Sequence, residues 1–560
     1  MKDWLHERTA VTPHKLALII GEQRWNYAQL NQLVDNFCHH LQKVGVQPSD
    51  FVAALLPNDL PYVCLIHALA RLGAILVPLN SRLAPAELRW QLEQVEANWL
   101  VSDQEVEWLI VNCKLLMVNE AWFKQTTLTI NHYPFTINHY QAVVFTSGTS
   151  GKPKGVMLTF ANHFQSATAS AYRLGVQPDD VWLSVLPLYH VGGLAVLFRG
   201  CLYGTAVSLH THFGLQKINH DLDNNRITLI SLVPTMLHRL LQTRDSWPAS
   251  LRLILLGGAA ATPELVARAN DLPRKPVFSD QSSEISEQLL TINHLPITIN
   301  HPPLVATTYG LTEAASQVAT MPPAEAAHKP GSVGKPLMFT HVKIVDEDGK
   351  ERPSNKIGEI IVTGPTVMAG YYKKRSSDSA QSSIVNPKSS IQNRQSSIAT
   401  GDLGYLDADG DLWLVQRRSD LIVTGGENVY PAEVEAVLRK HTAVSQACVV
   451  GIPDVEWGQR VVAMVQMVGE TVSPQELIKF CRDHLAGYKI PRQIEIVIQL
   501  PLTASGKIAR QIVAEQLAQA YFQTSRWQEG EQEAQDDIDN GRITRFDDID
   551  DALDFLDNSP

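Results

Sequence analysis

Apolar, β-rich runs recur along the chain, and each is followed by a stretch with a helical pattern. Residues 142–145 (AVVF) precede a glycine-rich loop, 227–233 (ITLISLV) precede a helix that begins at Pro234, and 253–256 (LILL) precede a glycine turn and a helix capped by Thr262. Strand–loop–helix alternation predicts an α/β fold with largely parallel sheets. In such folds, ligands bind at the loops that follow the strands.

Three segments interrupt this pattern with a seven-residue period. The repeated units are TINH in the first two segments and SSI in the third. A heptad coiled coil is excluded because the runs are short and prolines interrupt the first two. Tandem duplication explains the Asn-His pairs more simply than a metal site. We interpret the segments as low-complexity insertions in surface loops that leave the functional site intact; they lie near 127–140, 281–301 and 376–398.

Composition changes this picture little. A chain of 560 residues, 44% hydrophobic and 19% charged, is typical of a globular protein with two or more domains. Neither a signal peptide nor a run of about 18 apolar residues is visible.

The six cysteines form no C-x-x-C pair. This pattern favours buried, inert thiols in a reducing cytoplasm over disulfides or a zinc site.

The net charge of −11 comes almost entirely from the C-terminal tail. Residues 528–560 contain twelve acidic and two basic side chains, so the rest of the chain is nearly neutral. A nucleic-acid surface is therefore not expected. We interpret 521–560 as a disordered extension or a short amphipathic helix. A contact between this tail and another protein is the alternative.

The loop at 146–155 (TSGTSGKPKG) directly follows the buried run at 142–145. The spacing of its glycines differs from that of a Walker P-loop, but its residue types are those of a phosphate-binding site. Small residues let backbone N–H groups and hydroxyls converge on phosphate oxygens, and two lysines add positive charge. The candidate phosphate ligands are Thr146, Ser147, Gly148, Thr149, Ser150, Gly151, Lys152 and Lys154.

This loop resembles the signature of the adenylate-forming superfamily, which contains acyl-CoA synthetases, luciferases and peptide-synthetase adenylation domains. Further motifs of that family follow in the expected order, and the resemblance spans roughly residues 1–520. They are LPLYH at 186–190, TYGLTE at 308–313, TGD at 400–402, RRSDLI at 417–422 and PLTASGK at 501–507.

The resemblance implies ATP and Mg²⁺ as ligands and an acyl-adenylate as intermediate. Carboxylate, α-phosphate and leaving pyrophosphate are all anionic, so charge neutralisation and alignment dominate catalysis. Glu313 would hold the magnesium ion, and Lys507 would reach both the carboxylate and the α-phosphate. We assign Thr146, Glu313 and Lys507 as catalytic. The other implied ATP contacts are Asp402 and Arg417 on the ribose, Tyr309 and Gly258 on the two faces of adenine, and Gly310 and Thr312.

The resemblance also implies a second half-reaction with coenzyme A. In this family a small C-terminal domain rotates about a hinge after adenylation. The rotation would withdraw Lys507 and bring Gly425, Gly426 and Glu427 beside the pantetheine. The hinge would be Arg418, Ser419 and Asp420. We therefore predict a large ATP- and acyl-binding domain at 1–417 and a small mobile α+β domain at 418–520.

Within the family, residues 186–199, 255–259 and 423–431 look most like those of 2-succinylbenzoate–CoA ligases of the menaquinone pathway. That acid has two carboxylates, so the pocket needs a cationic or donor-rich group for the one that is not activated. His190, Arg199 and Gly257 are the candidate acyl-pocket residues. Nine residues are two and a half helical turns, so His190 and Arg199 are not expected on one helix face. A surface or interdomain salt bridge is the alternative for Arg199.

Other functions remain open at this point. An aromatic or medium-chain fatty acyl-CoA synthetase would keep every ATP residue and change only the pocket. A non-catalytic relative that binds nucleotide is a different class, which the intact Glu313 and Lys507 disfavour. A carrier-loading adenylation domain is disfavoured because no carrier domain follows. Dimers are common in the family, so a homodimer is an expectation.

Overall fold

The computed structural model describes most of the chain. The described residues are 3–109, 112–124, 139–146, 153–259, 261–275, 302, 304–326, 328–372, 397–416, 421–468, 472–501 and 508–522. The three predicted insertions and the acidic tail lie almost wholly outside these ranges, so their predicted conformations stay predictions.

Twenty-seven strands lie in the described part of the chain. In chain order they are β1 Leu16–Ile20, β2 Gln23–Asn26, β3 Phe51–Leu55, β4 Ile75–Pro78, β5 Trp99–Ser102, β6 Lys114–Met117, β7 Tyr140–Thr146, β8 Lys154–Thr159, β9 Val181–Ser184, β10 Ala206–Leu209, β11 Leu229–Leu232, β12 Trp247–Pro248, β13 Leu253–Leu256, β14 Arg274–Lys275, β15 Val305–Leu311, β16 Ser316–Met321, β17 Lys335–Pro336, β18 His341–Val345, β19 Gly358–Thr363, β20 Gly370–Tyr371, β21 Ser397–Leu406, β22 Leu412–Gln416, β23 Ile422–Thr424, β24 Glu427–Val429, β25 Val444–Asp454, β26 Gly458–Met467 and β27 Gln493–Val497.

Helices cover the sheets. The α-helices described are α1 Trp4–Val11, α2 Tyr27–Val44, α3 Leu60–Leu72, α4 Pro85–Val95, α5 Phe160–Leu174, α6 Val191–Tyr203, α7 Leu215–Asn224, α8 Pro234–Leu241, α9 Pro263–Asp271, α10 Pro323–Ala326, α11 Pro431–Leu438, α12 Pro474–Arg482 and α13 Arg510–Phe522. Short 3₁₀ turns span Glu107–Leu109, Glu120–Phe123, Thr312–Ala314 and Gly487–Lys489. Within the described ranges, no helix is both long enough and apolar enough to cross a membrane.

Two large sheets dominate the N-terminal part. One has the order β17-β16-β15-β13-β11-β9-β10-β1-β2, and the other β20-β8-β7-β4-β3-β5-β6. Their central pairs are parallel, and antiparallel pairs such as β7–β8 and β15–β16 lie toward the edges. Buried on both faces, the central strands read as continuous apolar runs. The predicted α/β class with mixed and parallel sheets is confirmed.

The elements predicted from the hydrophobic pattern form where expected. The run at 142–145 lies in β7, 227–233 contains β11, and 253–256 is β13. Helix α8 starts at Pro234 directly after β11. In α9 the Thr262 hydroxyl accepts the Leu265 N–H, so it caps the helix as predicted.

The C-terminal part has its own smaller sheet, β24-β23-β26-β25 with β27 beside β26. Helices α11 and α12 pack on one face, and α13 covers the other with Val513 and Leu517. The sheet is separated from the rest by residues 417–420, which lie outside the described residues. The exact hinge and the boundary at 417/418 therefore stay predictions.

All six cysteines are buried, free thiols. Burial raises the pKa of Cys201 to about 12 and those of Cys448 and Cys481 to about 11. A thiol with a raised pKa forms little of the reactive thiolate. The prediction of inert core cysteines is confirmed.

Candidate active site

A cavity of about 350 Å³ lies where the two large sheets meet the small C-terminal sheet. Its walls come from segments that follow strands β4, β9, β11, β13 and β15. Because ligands of α/β sheets bind beyond the carboxyl ends of the strands, this position agrees with the prediction from the strand–loop–helix pattern. Predicted site residues in the cavity wall are Thr146, His190, Arg199, Gly257, Gly258, Gly310, Thr312, Glu313, Asp402, Gly425, Gly426 and Glu427.

The phosphate loop begins and ends on two paired strands. Thr146 is the last residue of β7 and pairs directly with Lys154, the first residue of β8. The Lys154 ammonium lies 5.0 Å from the centre of the Tyr371 ring, a cation–π contact that holds it near the cavity. The intervening residues Ser147, Gly148, Thr149, Ser150, Gly151 and Lys152 lie outside the described residues.

Glu313 faces the cavity in the turn after β15. Its Oε1 accepts a hydrogen bond of 3.0 Å from the Tyr371 hydroxyl, the only partner of this carboxylate in the described part of the chain. The Tyr371 hydroxyl is a neutral donor, so it orients the Glu313 carboxylate without pairing it with a positive charge. The carboxylate therefore remains available to a cation. Mg²⁺ prefers such oxygen ligands and retains several waters, so Glu313 fits the predicted role.

Asp402 and Tyr309 meet at one side of the cavity. The Tyr309 hydroxyl donates a hydrogen bond of 2.6 Å to Asp402 Oδ2. The Tyr309 residue is only 2% exposed and belongs to the main apolar core. In this arrangement it orients Asp402 rather than presenting an open face, and adenine stacking stays a prediction. Gly310, which follows Tyr309 in the chain, must be glycine, because a Cβ there would lie 1.9 Å from the Ser316 carbonyl oxygen.

The glycine turn after β13 lines the same cavity. A Cβ at Gly257 would lie 2.6 Å from Thr308 Cγ2, and Gly258 has a φ of +81°. A side chain at 257 would meet β15, and one at 258 would strain the backbone. The turn therefore leaves its backbone open to a ligand.

His190 and Arg199 both line the cavity, although they were not expected on one helix face. The helical-wheel argument assumed that His190 lies in the helix, and it does not. It is the N-cap of α6, with φ −99° and ψ 144°, so the 100° step per residue does not apply to its side chain.

Arg199 is buried, with 2% of its surface exposed. Its Nη2 donates a hydrogen bond of 2.8 Å to Gln317 Oε1, and its guanidinium lies 5.5 Å from the centre of a Trp182 ring. In the described part of the chain, Nε has no hydrogen-bond partner and no carboxylate pairs with the side chain. Burial lowers the pKa of this guanidinium. This burial contradicts the alternative of a surface salt bridge, and no interdomain salt bridge to Arg199 lies among the described residues.

Gln317 was not identified from sequence. Its Nε2 donates to the hydroxyls of Thr320 at 2.9 Å and Thr308 at 3.3 Å, so its carbonyl oxygen is aimed at Arg199. The pair is separated by 118 positions in the chain, and no local motif marks it. Its place on β16, antiparallel to β15, brings it to the cavity.

The small sheet contributes the turn Gly425-Gly426-Glu427. Both glycines have positive φ, +57° and +84°, and a Cβ at Gly426 would lie 3.1 Å from Val233 Cγ2 of the large domain. Glycine thus allows the turn to approach the cavity closely. The predicted coenzyme A residues therefore lie at the cavity.

Glu427 joins the two domains across the cavity. It is 4% exposed, and its carboxylate accepts contacts from Arg82 Nη1 at 3.0 Å and His190 Nε2 at 3.2 Å. Burial alone raises the pKa of this carboxyl, but His190 and Arg82 outweigh burial and lower it to about 2. Arg82 was not identified from sequence, since 345 positions separate it from Glu427.

Lys507, Arg417 and the hinge residues Arg418, Ser419 and Asp420 lie outside the described residues. Their assigned roles stay predictions.

Comparison with known proteins agrees with this geometry. The profile of the AMP-binding enzyme family matches residues 5–279 and 293–372, and that of the AMP-binding enzyme C-terminal domain matches 433–507. The chain belongs to the AMP-binding enzyme family. This membership, together with the ligase relatives that cover most of the chain, makes it an AMP-forming acid–thiol ligase.

Individual relatives are similar over nearly the whole chain. A 2-succinylbenzoate–CoA ligase from Bacillus mycoides is 37% identical over 512 residues, which are 91% of this chain and 97% of that protein. A double mutant of the o-succinylbenzoate CoA synthetase from Bacillus subtilis, bound to a product analogue, is 35% identical with a TM-score of 0.79. That match covers 92% of this chain and 98% of the other.

The same Bacillus subtilis enzyme with its acyl-adenylate intermediate has a TM-score of 0.64, at 36% identity and coverages of 92% and 98%. Identity and coverage are nearly the same in the two comparisons, so they do not account for the difference in TM-score. The present structure is thus more similar to the form with the product analogue than to the form with the adenylate.

Proposed function

We propose that the chain is a 2-succinylbenzoate–CoA ligase of menaquinone or phylloquinone biosynthesis. It activates one carboxylate of 2-succinylbenzoate with ATP and transfers the acyl group to coenzyme A. The observation that carries the choice of acid is Arg199, a buried cation in the cavity wall with no carboxylate partner in the described part of the chain. The name of the Bacillus mycoides relative supports the same acid.

A buried guanidinium without a counter-ion is costly, because burial removes its hydration. A dicarboxylic acid compensates this cost, since the carboxylate that is not activated pairs with Arg199 as the substrate enters. Gln317 holds the guanidinium in place because its Oε1 accepts a hydrogen bond from Nη2 of Arg199. A fatty acid would leave Arg199 unpaired, so the geometry favours the diacid over the fatty acyl alternative.

In the first half-reaction, a carboxylate oxygen of the acid attacks the α-phosphorus of ATP. The bond between this phosphorus and the bridging oxygen breaks, and pyrophosphate leaves. Thr146, Lys154 and the loop between them bind the departing phosphates. Glu313 is the protein ligand for Mg²⁺, which neutralises phosphate charge when bound.

In the second half-reaction, the thiol of coenzyme A loses its proton to solvent, and the thiolate sulfur attacks the acyl carbonyl carbon. The bond between that carbon and the phosphate oxygen breaks, and AMP leaves. Asp402, held by Tyr309, retains the ribose of the nucleotide. The turn Gly425-Gly426-Glu427 forms the wall from which the thiol enters. Glu427 is paired with the guanidinium of Arg82 and lies in hydrogen-bond contact with His190, so its charge on this wall is compensated toward the anionic coenzyme.

A substrate screen tests the choice of acid. Purified protein is incubated with ATP, Mg²⁺ and coenzyme A, and pyrophosphate and thioester are measured for 2-succinylbenzoate, benzoates and fatty acids. We expect the highest kcat/KM for 2-succinylbenzoate. If that acid gives no signal while benzoates or fatty acids do, the proposal is wrong.

The variant Lys507→Ala separates a ligase from a protein that only binds nucleotide. We expect strongly impaired pyrophosphate release and nearly normal ATP binding, because this lysine contacts the reacting groups rather than the adenosine. Unchanged turnover would contradict the assigned role of Lys507.

A further inference from the structure

A second charged cluster joins the domains beside the cavity, and one of its members, Lys489, lines the cavity wall. The Lys489 ammonium contacts Glu87 Oε1 of the large domain at 2.5 Å and Glu433 Oε1 of the small domain at 2.8 Å. All three side chains are largely buried, with 3%, 12% and 9% of their surfaces exposed. We call these three residues the interdomain latch.

Glu87 is held rigidly on the large domain. It is the third residue of α4, and its Oε2 accepts the backbone N–H of Ala84 at 2.9 Å, as in a capping box. The same oxygen accepts the backbone N–H of Ala486 from the small domain at 2.8 Å. One carboxylate thus receives two donors from the small domain, an ammonium and an amide.

The other two latch residues belong to the same domain. Glu433 lies in α11 and Lys489 in the 3₁₀ turn 487–489, and their neighbours Val434 and Tyr488 belong to the core of the small sheet. Rotation of this domain keeps their ion pair intact, so Lys489 stays neutralised in any domain arrangement. The contacts of Glu87 with Lys489 and Ala486 exist only when the domains meet as they do here.

An interaction that exists in one of two arrangements shifts the equilibrium toward that arrangement. The arrangement seen here is more similar to the relative with a product analogue than to the relative with an adenylate. Glu87 is absent from the cavity wall, whereas Lys489 and its neighbour Tyr488 are part of it. Glu87 therefore reaches the site only through residues of the small domain, by its contacts with Lys489 and Ala486.

We propose that Glu87 is a positioning residue for the second half-reaction: it captures Lys489 and Ala486 and holds the small domain in the thioester-forming arrangement. This inference rests on the proposed ligase function. It predicts that loss of the Glu87 charge slows acyl transfer to coenzyme A and leaves adenylation unchanged.

The test uses Glu87→Gln in the full-length protein and measures the half-reactions separately. Adenylation is followed as acid-dependent exchange of pyrophosphate into ATP without coenzyme A. Transfer is followed as single-turnover consumption of preformed adenylate after coenzyme A is added. We expect transfer to slow by about tenfold, as the competent arrangement becomes less populated, and exchange to stay within about twofold.

Two further variants control the test. Glu105→Gln removes an exposed carboxylate of the large domain without a described partner, and we expect neither half-reaction to change. Glu87→Asp keeps the charge, and we expect it to recover part of the transfer rate. Equal slowing of both half-reactions would show that Glu87 only stabilises α4, and no slowing of transfer would show that it does not position the domain. Either result overturns the proposal.

The experiment distinguishes this inference from the choice of acid. If the wild-type protein shows no exchange with 2-succinylbenzoate, the proposed substrate is wrong. The latch is then tested with whichever acid supports exchange, because Glu87 does not line the cavity.

Discussion

Arg199 and Lys489 are both nearly completely buried cations, yet they are neutralised in opposite ways. Lys489 has two carboxylates of the protein within 2.8 Å. Arg199 has a neutral amide and an aromatic face, and no carboxylate in the described part of the chain. A buried cation with a structural role is paired with carboxylates of the protein itself. A buried cation with a binding role lacks such a carboxylate, so the ligand can supply the negative charge.

The replacement Arg199→Leu gives the sharpest test of this contrast. We expect kcat/KM for 2-succinylbenzoate to fall by about 100-fold or more, because the second substrate carboxylate would be buried without a partner. We expect the melting temperature to stay the same or rise, since an unpaired buried charge is removed. A marked fall in melting temperature would show that Arg199 is a structural cation after all.

The replacement Lys489→Met should change stability in the opposite direction. It leaves Glu87 and Glu433 buried without their cation, so we expect the free energy of unfolding to fall by about 3 kcal/mol. Urea denaturation measures the change. Lys479→Met, at an exposed lysine on α12, is the matched control and should have little effect. Equal effects of the two variants would contradict a structural role for Lys489.

A smaller effect is expected for Gln317→Leu. This change removes the acceptor that orients Arg199 but keeps the guanidinium itself. We expect kcat/KM for 2-succinylbenzoate to fall by about tenfold, the usual cost of losing a hydrogen bond to a charged group. Steady-state kinetics measure it, with the KM for ATP as the internal control. A loss as large as that of Arg199→Leu would mean that Gln317 itself contacts the acid.

The smallest effect is expected at Lys329, a cation with built-in partners at the surface. Its ammonium contacts Asp407, Asp409 and Asp411 at 2.8, 2.7 and 2.6 Å in the hairpin between β21 and β22. Lys329→Met should lower the melting temperature by only about 1–3 °C, because exposed ion pairs contribute little.

The contacts in this hairpin also predict how the stability of the protein depends on pH. Burial raises the pKa of Asp407, but hydrogen bonds from Lys329 and Trp413 outweigh it and lower the pKa to about 2. The resulting stabilisation is complete above the ordinary pKa of 3.8 and is lost as the pH falls toward 2. Without Lys329 the melting temperature should fall less as the pH is lowered from 3.8 to 2, and thermal melts of wild type and Lys329→Met measure this difference. An equal fall in both proteins would mean that other carboxylates cause the acid destabilisation.

Local sequence signals predicted the elements that carry the site. Strand β7 and the starts of α8 and α9 follow from apolar runs and from Thr262, Pro234 and Pro263, whose preferences act within a few residues. The motifs that contain Glu313 and Asp402 were recognised for the same reason, since each is a short continuous string.

Contacts between distant segments were decided only by the tertiary structure. Gln317 beside Arg199, Arg82 on Glu427 and Glu87 on Lys489 are separated by 118, 345 and 402 positions. Sheet pairing and domain docking set these contacts, and neither leaves a local pattern of spacing. The sequence by itself therefore determined the fold class and the adenylate-forming chemistry. Which buried cations have partners and which one faces the substrate depended on the tertiary structure, because charge pairing in a protein interior is a property of three-dimensional neighbours.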